Sequence, residues 1–326
     1  MLGLLRKLEE EYQTAKRKEE ELKKNVERCI IQLDRAEKLI KGLGGEKIAW
    51  GKKTVEWQSE KETVLGDCVL CAGIIAYMGA FPITYRDETL DEWKQLTTRL
   101  NIKSNEKFSL QNVLSDPLTI GIWTNSQQLP NDSFSIDNAI ILKNSSRWPL
   151  MIDPQIQANT WIKNMESGIK VIRPTQSQKE LEMILENSIQ FGTPLLLENI
   201  GENIDALFEP ILQKKLIKAG ASYRLKFGDK ELDYSTDFKF YMTTKLGKPH
   251  YSPEVCVKVT LLNFQVTLEG LDDQMLNIIV KMEEPVKEEQ KQRNIKEFFD
   301  NKNKQRATED KILQLLGSAT GNLLDD

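Results

Sequence analysis

The sequence predicts an α/β protein: a mostly parallel sheet with helices on both faces, one long coiled-coil helix before it, and a small helical region after it. Three observations predict this. Apolar residues repeat at heptad spacing through the first forty-odd positions. Short apolar runs alternate with helical stretches from about residue 148 to 243. Beyond residue 271 strand-like runs disappear and charged helical sequence takes over. The boundaries drawn from these shifts are 1–62, 63–270 and 271–326.

In the first region one core position falls at Leu5, Tyr12, Glu19, Val26, Leu33 and Ile40. The other falls at Leu8, Ala15, Leu22, Cys29, Ala36 and Leu43. Spacing that alternates between four and three is a coiled-coil seam. Lys, Arg, Glu and Gln fill most positions between, as a solvated face requires. Gly42, Gly44 and Gly45 predict a bend or register change, because glycine weakens a helix locally. At 1.5 Å per residue such a helix reaches roughly 65–70 Å. An apolar seam of that length needs a partner, and the sequence carries no second heptad stretch to match it. The partner is therefore expected outside the chain, in an upstream helix or a second copy.

Residues 66–80 read as a buried helix and 87–100 as an amphipathic one, with a turn at Asp116-Pro117. Strands are predicted at 148–152, 169–172, 194–197 and 238–243, with helices through Met165 and over 178–191. Strands spaced by helices form a parallel sheet covered on both sides. Residues 223–227 and 231–234 flank Gly228-Asp229-Lys230 and read as an inserted β-hairpin. Near the end, apolar residues around 275–282, 295–299 and 312–316 predict three short helices.

The chain has 326 residues, enough for one large core or two modest ones. Its 45 basic and 49 acidic side chains leave a net charge of −4, which argues against nucleic acid as the main partner. The start is charged almost at once (Arg6, Lys7, Glu9, Glu10, Glu11), so no secretory signal is expected. No apolar run reaches membrane-spanning length, so no membrane is expected either. Cys68 and Cys71 form a C-x-x-C, but the single histidine, His250, supplies no second ligand pair. Both cysteines are expected to be buried on an apolar helix, with no metal site, in a reducing intracellular compartment.

The run after the first predicted strand carries the chemistry. A phosphate-binding P-loop needs Gly-x-x-x-x-Gly-Lys-Ser/Thr directly after a buried strand. Glycines let backbone N–H groups wrap the phosphates, the lysine neutralises charge, and the hydroxyl holds Mg²⁺. Here the run is Asp153-Pro154-Gln155-Ile156-Gln157-Ala158-Asn159-Thr160. Asp153 and Ala158 stand for the glycines and Asn159 for the lysine; only Thr160 matches. A carboxylate near 4 Å from a phosphate charge costs roughly 4 kcal/mol at an effective dielectric of 20. Pro154 also removes an N–H from the cradle. The second acidic motif should be an apolar strand ending in Asp-Glu, but residues 195–197 lead into Glu198-Asn199. Glu198 could reach a metal; Asn199 cannot act as a general base. Thr243 ends another strand, at a polar sensor position. The reading is a P-loop-type core with a degenerate nucleotide site and no catalytic residue. The alternative is a nucleotide-binding ATPase with its own turnover, carried by Thr160 and Glu198. A coiled-coil ATPase of the chromosome-maintenance type would need a Ser-Gly-Gly-type signature helix, which the sequence lacks.

Longer motifs add a resemblance. Arg35-Ala36-Glu37-Lys38-Leu39-Ile40 with Leu43 is similar to the returning helix of the dynein stalk. Arg147-Trp148-Pro149-Leu150-Met151-Ile152-Asp153-Pro154-Gln155, with Gln157-Ala158 and Trp161-Ile162-Lys163, resembles the fifth AAA+ module of the dynein heavy chain. So do 195–201, 243–246 with Pro249-His250-Tyr251, and 258–264, and the wording is more like axonemal than cytoplasmic dyneins. The resemblance implies a fragment of a minus-end-directed microtubule motor, with ATP and Mg²⁺ used in other modules and no cofactor here. Implied partners are the upstream stalk helix, neighbouring AAA+ modules, a microtubule reached through a stalk tip absent here, and the intermediate and light chains of the parent complex. The implied location is cytoplasm and cytoskeleton, in a ciliary or flagellar axoneme. Asp326 would lie near the start of a second hairpin, the strut.

Overall fold

The computed structural model describes the backbone of residues 2–220, 222–228 and 230–318, and the side chains from Tyr12 onward within them except at 219 and 269. The predicted seam residues Leu5 and Leu8 therefore have side chains outside the described ones, as do Asp229 of the predicted turn and Asp326. Residues 62–303 form one compact unit; residues up to 61, with those from 304 onward, form another.

α1 runs unbroken over Leu2–Gly73. The helix continues without interruption through Gly42, Gly44 and Gly45. Each glycine costs a helix about 1 kcal/mol relative to alanine, which Lys, Glu and Leu neighbours can carry. On the seam Tyr12, Leu22, Val26, Leu33 and Ile40 are exposed, Ile40 by 74%. Leu43 is half-buried. Lys53 approaches Glu309 to 4.0 Å within the same unit.

The second unit begins where α1 becomes apolar. Leu70, Cys71 and Ile74 are buried, and a π-helical turn over Ile74–Met78 ends at Gly79. Cys68 is exposed, against expectation: at about 100° per residue it falls roughly 160° round the helix from the buried Leu70, at the edge of the buried face that Cys71 still reaches. Burial pushes the Cys71 thiol up to about 11. Then come α2 (Ile83–Arg99), α3 (Leu110–Leu114), α4 (Pro117–Gly121) with a π turn over Ile122–Ser126, and α5 (Ser133–Asn144). Asp116 and Asp132 cap α4 and α5 by accepting backbone N–H bonds from Thr119 and Ser135.

The sheet follows: β1 (Trp148–Ile152), α6 (Gln157–Met165), β2 (Lys170–Ile172), α7 (Gln178–Phe191), β3 (Leu195–Leu197) and α8 (Glu209–Gln213). An antiparallel three-stranded sheet of β4 (Leu216–Ala219), β5 (Ser222–Phe227) and β6 (Lys230–Tyr234) is inserted next. The predicted hairpin is β5–β6; β4 was not predicted from the sequence, and neither was the last strand of the main sheet, over 259–263. β7 (Phe240–Thr244), α9 (Pro253–Lys258) and β8 (Val259–Asn263) complete the core. The main sheet has the order β2-β3-β7-β1-β8 and every pairing in it is parallel.

Period-two alternation builds a core on each face. Met151, Leu196, Tyr241 and Leu262 point to one side, against Leu70, Ile74, Ile140 and Trp161. Leu150, Leu195, Leu197, Phe240 and Met242 point to the other, against Leu185 and Ile189 of α7, Phe208, and Leu225 of the inserted sheet. α10 (Leu268–Glu283) and α11 (Pro285–Ser318) follow, in place of three short helices. Pro285 separates them, and no glycine or proline interrupts 286–316, so its charged stretches stay helical.

Candidate functional site

In open parallel sheets ligands bind beyond the carboxyl ends of the strands, where connections depart in opposite directions. β1 sits at such a point, between β7 and β8. Its end is fixed on both sides: Asp153 N–H donates to Thr244 O at 2.8 Å and Phe264 N–H to Ile152 O at 2.9 Å. The loop turns at Ile156, whose φ of 64° puts a β-branched residue in the left-handed region. That conformation costs of order 1–3 kcal/mol and persists only where its surroundings over-determine it. α6 then starts, aimed at the cleft.

Asp153 is 2% exposed. Its carboxylate points back into the start of α6, where Oδ1 accepts Gln157 N–H at 2.8 Å and Oδ2 accepts Asn159 N–H at 2.9 Å. Burial raises the pKa of this carboxyl, and the N–H groups of Asn159, Gln157, Ala158 and Ile156 pull against that rise. Asn159 links two acids. Its backbone serves Asp153, while its Nδ2 donates to Glu198 Oε1 at 2.9 Å and lies 3.5 Å from Thr243 Oγ1. Glu198, at the tip of β3, also accepts Lys163 Nζ on Oε1 at 2.5 Å and Arg173 Nε on Oε2 at 3.1 Å. Burial would raise the pKa of Glu198, but these donors outweigh it and hold the carboxyl below its ordinary range.

Asp153, Asn159, Glu198, Asn199 and Thr243 thus line one cleft of about 480 Å³, with Ile156, Lys163, Arg173 and Lys245. Pro154, Gln155, Ala158 and Thr160 do not line it. Ala158 is fully buried in the core. Thr160 is exposed, its Oγ1 donating to Ile156 O at 2.8 Å, so its hydroxyl is bound to its own helix. Asn199 is exposed, at φ 57°. Lys163, Arg173 and Lys245 are site residues that the sequence reading did not assign to the site. Lys163 was legible as the residue four after Asn159 on one helix face, and Arg173 and Lys245 as residues at strand ends.

These residues do not fit a magnesium nucleotide. The N–H groups that should meet phosphate meet a carboxylate, the hydroxyl that should hold the metal is turned away, and the acidic strand end already has three donors. Among the described residues no group of three His, Cys, Asp or Glu side chains is placed to hold a metal.

The parallel sheet, with its loop on β1 and acidic tip on β3, defines an AAA+ α/β core preceded by a long helix. Comparison with known proteins gives the family. Residues 121–326 match the ATP-binding dynein motor region, and residues 4–96 match the microtubule-binding stalk of the dynein motor. The chain belongs to the dynein heavy chain motor family. It is 47% identical to dynein axonemal heavy chain 3 of Mus musculus over 90% of its length, and 44% identical to that of Homo sapiens over 99%. It is 43% identical to the dynein-1-beta heavy chain of the flagellar inner arm I1 complex of Chlamydomonas reinhardtii over 90%. These matches span 7%, 8% and 7% of the relatives' own lengths.

Proposed function

We propose that this segment of a dynein heavy chain is a non-hydrolysing AAA+ module that relays movement along its long helix. The observation that carries the reading is the anion cradle of α6 taken up by Asp153, with Asn159 in the lysine position bound to Glu198. No group stands where a general base would act, since Asn199 follows Glu198. Hydrolysis then belongs to other modules of a minus-end-directed microtubule motor, which supply ATP and Mg²⁺ chemistry.

The exposed seam from Tyr12 to Ile40 supports pairing with an upstream helix of the same heavy chain. Leu5 and Leu8 continue that heptad pattern in sequence. The remaining partners in this reading are neighbouring AAA+ modules, a microtubule through the stalk tip, and the intermediate and light chains of the parent complex. The relatives' names, axonemal and flagellar, support an axonemal location. Steady-state ATPase of the chain tests the reading: none above background is expected. Turnover abolished by Asn199→Ala would favour the alternative, a P-loop ATPase with its own activity.

A further inference from the structure

We propose that Asp153 is the resident anion of this loop: its carboxylate takes the N–H bonds a phosphate would take and holds the loop in a nucleotide-loaded shape without nucleotide. The inference rests on the reading of the module as non-hydrolysing, and adds what occupies the site and why the module does not sense nucleotide.

Four features converge. The carboxylate is almost fully buried and aimed into the start of α6, with one oxygen on Gln157 N–H and the other on Asn159 N–H. Such an arrangement is how helix starts receive phosphate oxygens. Ile156 keeps the left-handed turn that favours glycine, so the loop retains a tight cradle although both motif glycines are gone. Asn159, neutral where a lysine would sit, spans the two acids with its backbone and its side chain. A lysine ammonium there would answer phosphate charge; an amide suffices between two carboxylates, one already bound by backbone N–H groups and the other by Lys163 and Arg173. Lys163 and Arg173, finally, sit on Glu198, the acid that would otherwise face a metal. Both negative charges a magnesium nucleotide would need to displace or exploit are thus already engaged.

The consequence is a module whose loop conformation is constant. A nucleotide-free P-loop is free to rearrange; here the occupant is covalently part of the chain and cannot dissociate.

The test uses the whole chain, inorganic pyrophosphate as probe, and sodium sulfate at matched ionic strength as control. The wild-type melting temperature should not respond to millimolar pyrophosphate. Asp153→Ser, which empties the cradle, should melt lower and regain part of the loss saturably with pyrophosphate but not with sulfate. A wild-type response equal to the variant's overturns the proposal, as does a variant that melts lower and ignores pyrophosphate. Should Asp153→Ser not fold, Asp153→Asn keeps the shape but offers one acceptor in place of two. Amide exchange at Gln157 or Asn159 should then accelerate roughly ten- to hundredfold; unchanged protection at both overturns the proposal. ATP turnover by the wild type would instead sink the functional reading, so the two failures are distinguishable.

Discussion

Replacing Glu198 by alanine tests whether that carboxylate is a structural tie or an acid waiting for a metal. Three donors lose their acceptor. Lys163 and Arg173 have side chains 40% and 66% exposed, so water replaces most of what they lose. Each exposed pair is worth about 0–1 kcal/mol. Asn159 is different. It is 7% exposed, and without Glu198 its Nδ2 has only Thr243 Oγ1, at 3.5 Å. A buried donor left without a partner costs about 1–3 kcal/mol. The total for Glu198→Ala is about 1–5 kcal/mol, and for Glu198→Gln, which keeps an acceptor for Asn159, about 1 kcal/mol. Guanidinium denaturation followed by circular dichroism measures both. The difference should shrink in acid. The folded carboxyl is held below its ordinary range, so its contribution is present above the unfolded pKa and lost as pH falls through the folded one. Variants as stable as wild type, or more stable, would refute the reasoning, because an idle buried carboxylate is relieved by removal.

Gly79→Ala should loosen the junction between the end of the π turn and β8. An added Cβ would meet Leu261 O at 2.5 Å, where Asn263 N–H and Arg86 Nη2 both bind Gly79 O at 2.8 Å. A loss of about 1–3 kcal/mol and faster amide exchange at Asn263 are expected; an unchanged melt would contradict this. Asp137→Asn should stabilise the chain by about 1–2 kcal/mol near pH 7.5, by thermal melting across pH. Burial pushes the Asp137 carboxyl up to about 6, against a hydrogen bond from Gln111 and the charge of Arg86. Its stabilising protonated form is complete below the unfolded pKa and lost as pH rises through about 6, so the variant's advantage must vanish in acid. Leu33→Asp, on the exposed seam, should change the chain's stability by no more than about 0.5 kcal/mol. A loss of 2 kcal/mol or more, roughly what a buried leucine gives, would mean that the seam packs on this chain.

Much of the sheet was legible because buried parallel strands are plain apolar runs. The sequence reading of 148–152 and 178–191 coincides with β1 and α7. β4 was missed because Leu216–Ala219 carries Lys218 in a short run that looks like loop. The apolar clusters at 295–299 and 312–316 predict two helices where there is one, α11, because the charged residues between them are themselves helix formers and only Pro285 breaks the run. At the site, the motif comparison located Asp153, Asn159, Glu198 and Thr243, which do meet. It could not show that Thr160 turns outward, since that depends on the Ile156 turn, nor that Asp153 turns inward onto α6. A motif alignment records which residue is missing; only the fold shows what has taken its hydrogen bonds.

Calorimetry of the chain against millimolar Mg²⁺–ATP tests the central claim most directly. The account predicts no saturable heat beyond dilution, because Asp153 holds the cradle and Thr160 is turned away. Saturable heat that Thr160→Ala or Glu198→Ala abolishes would contradict it.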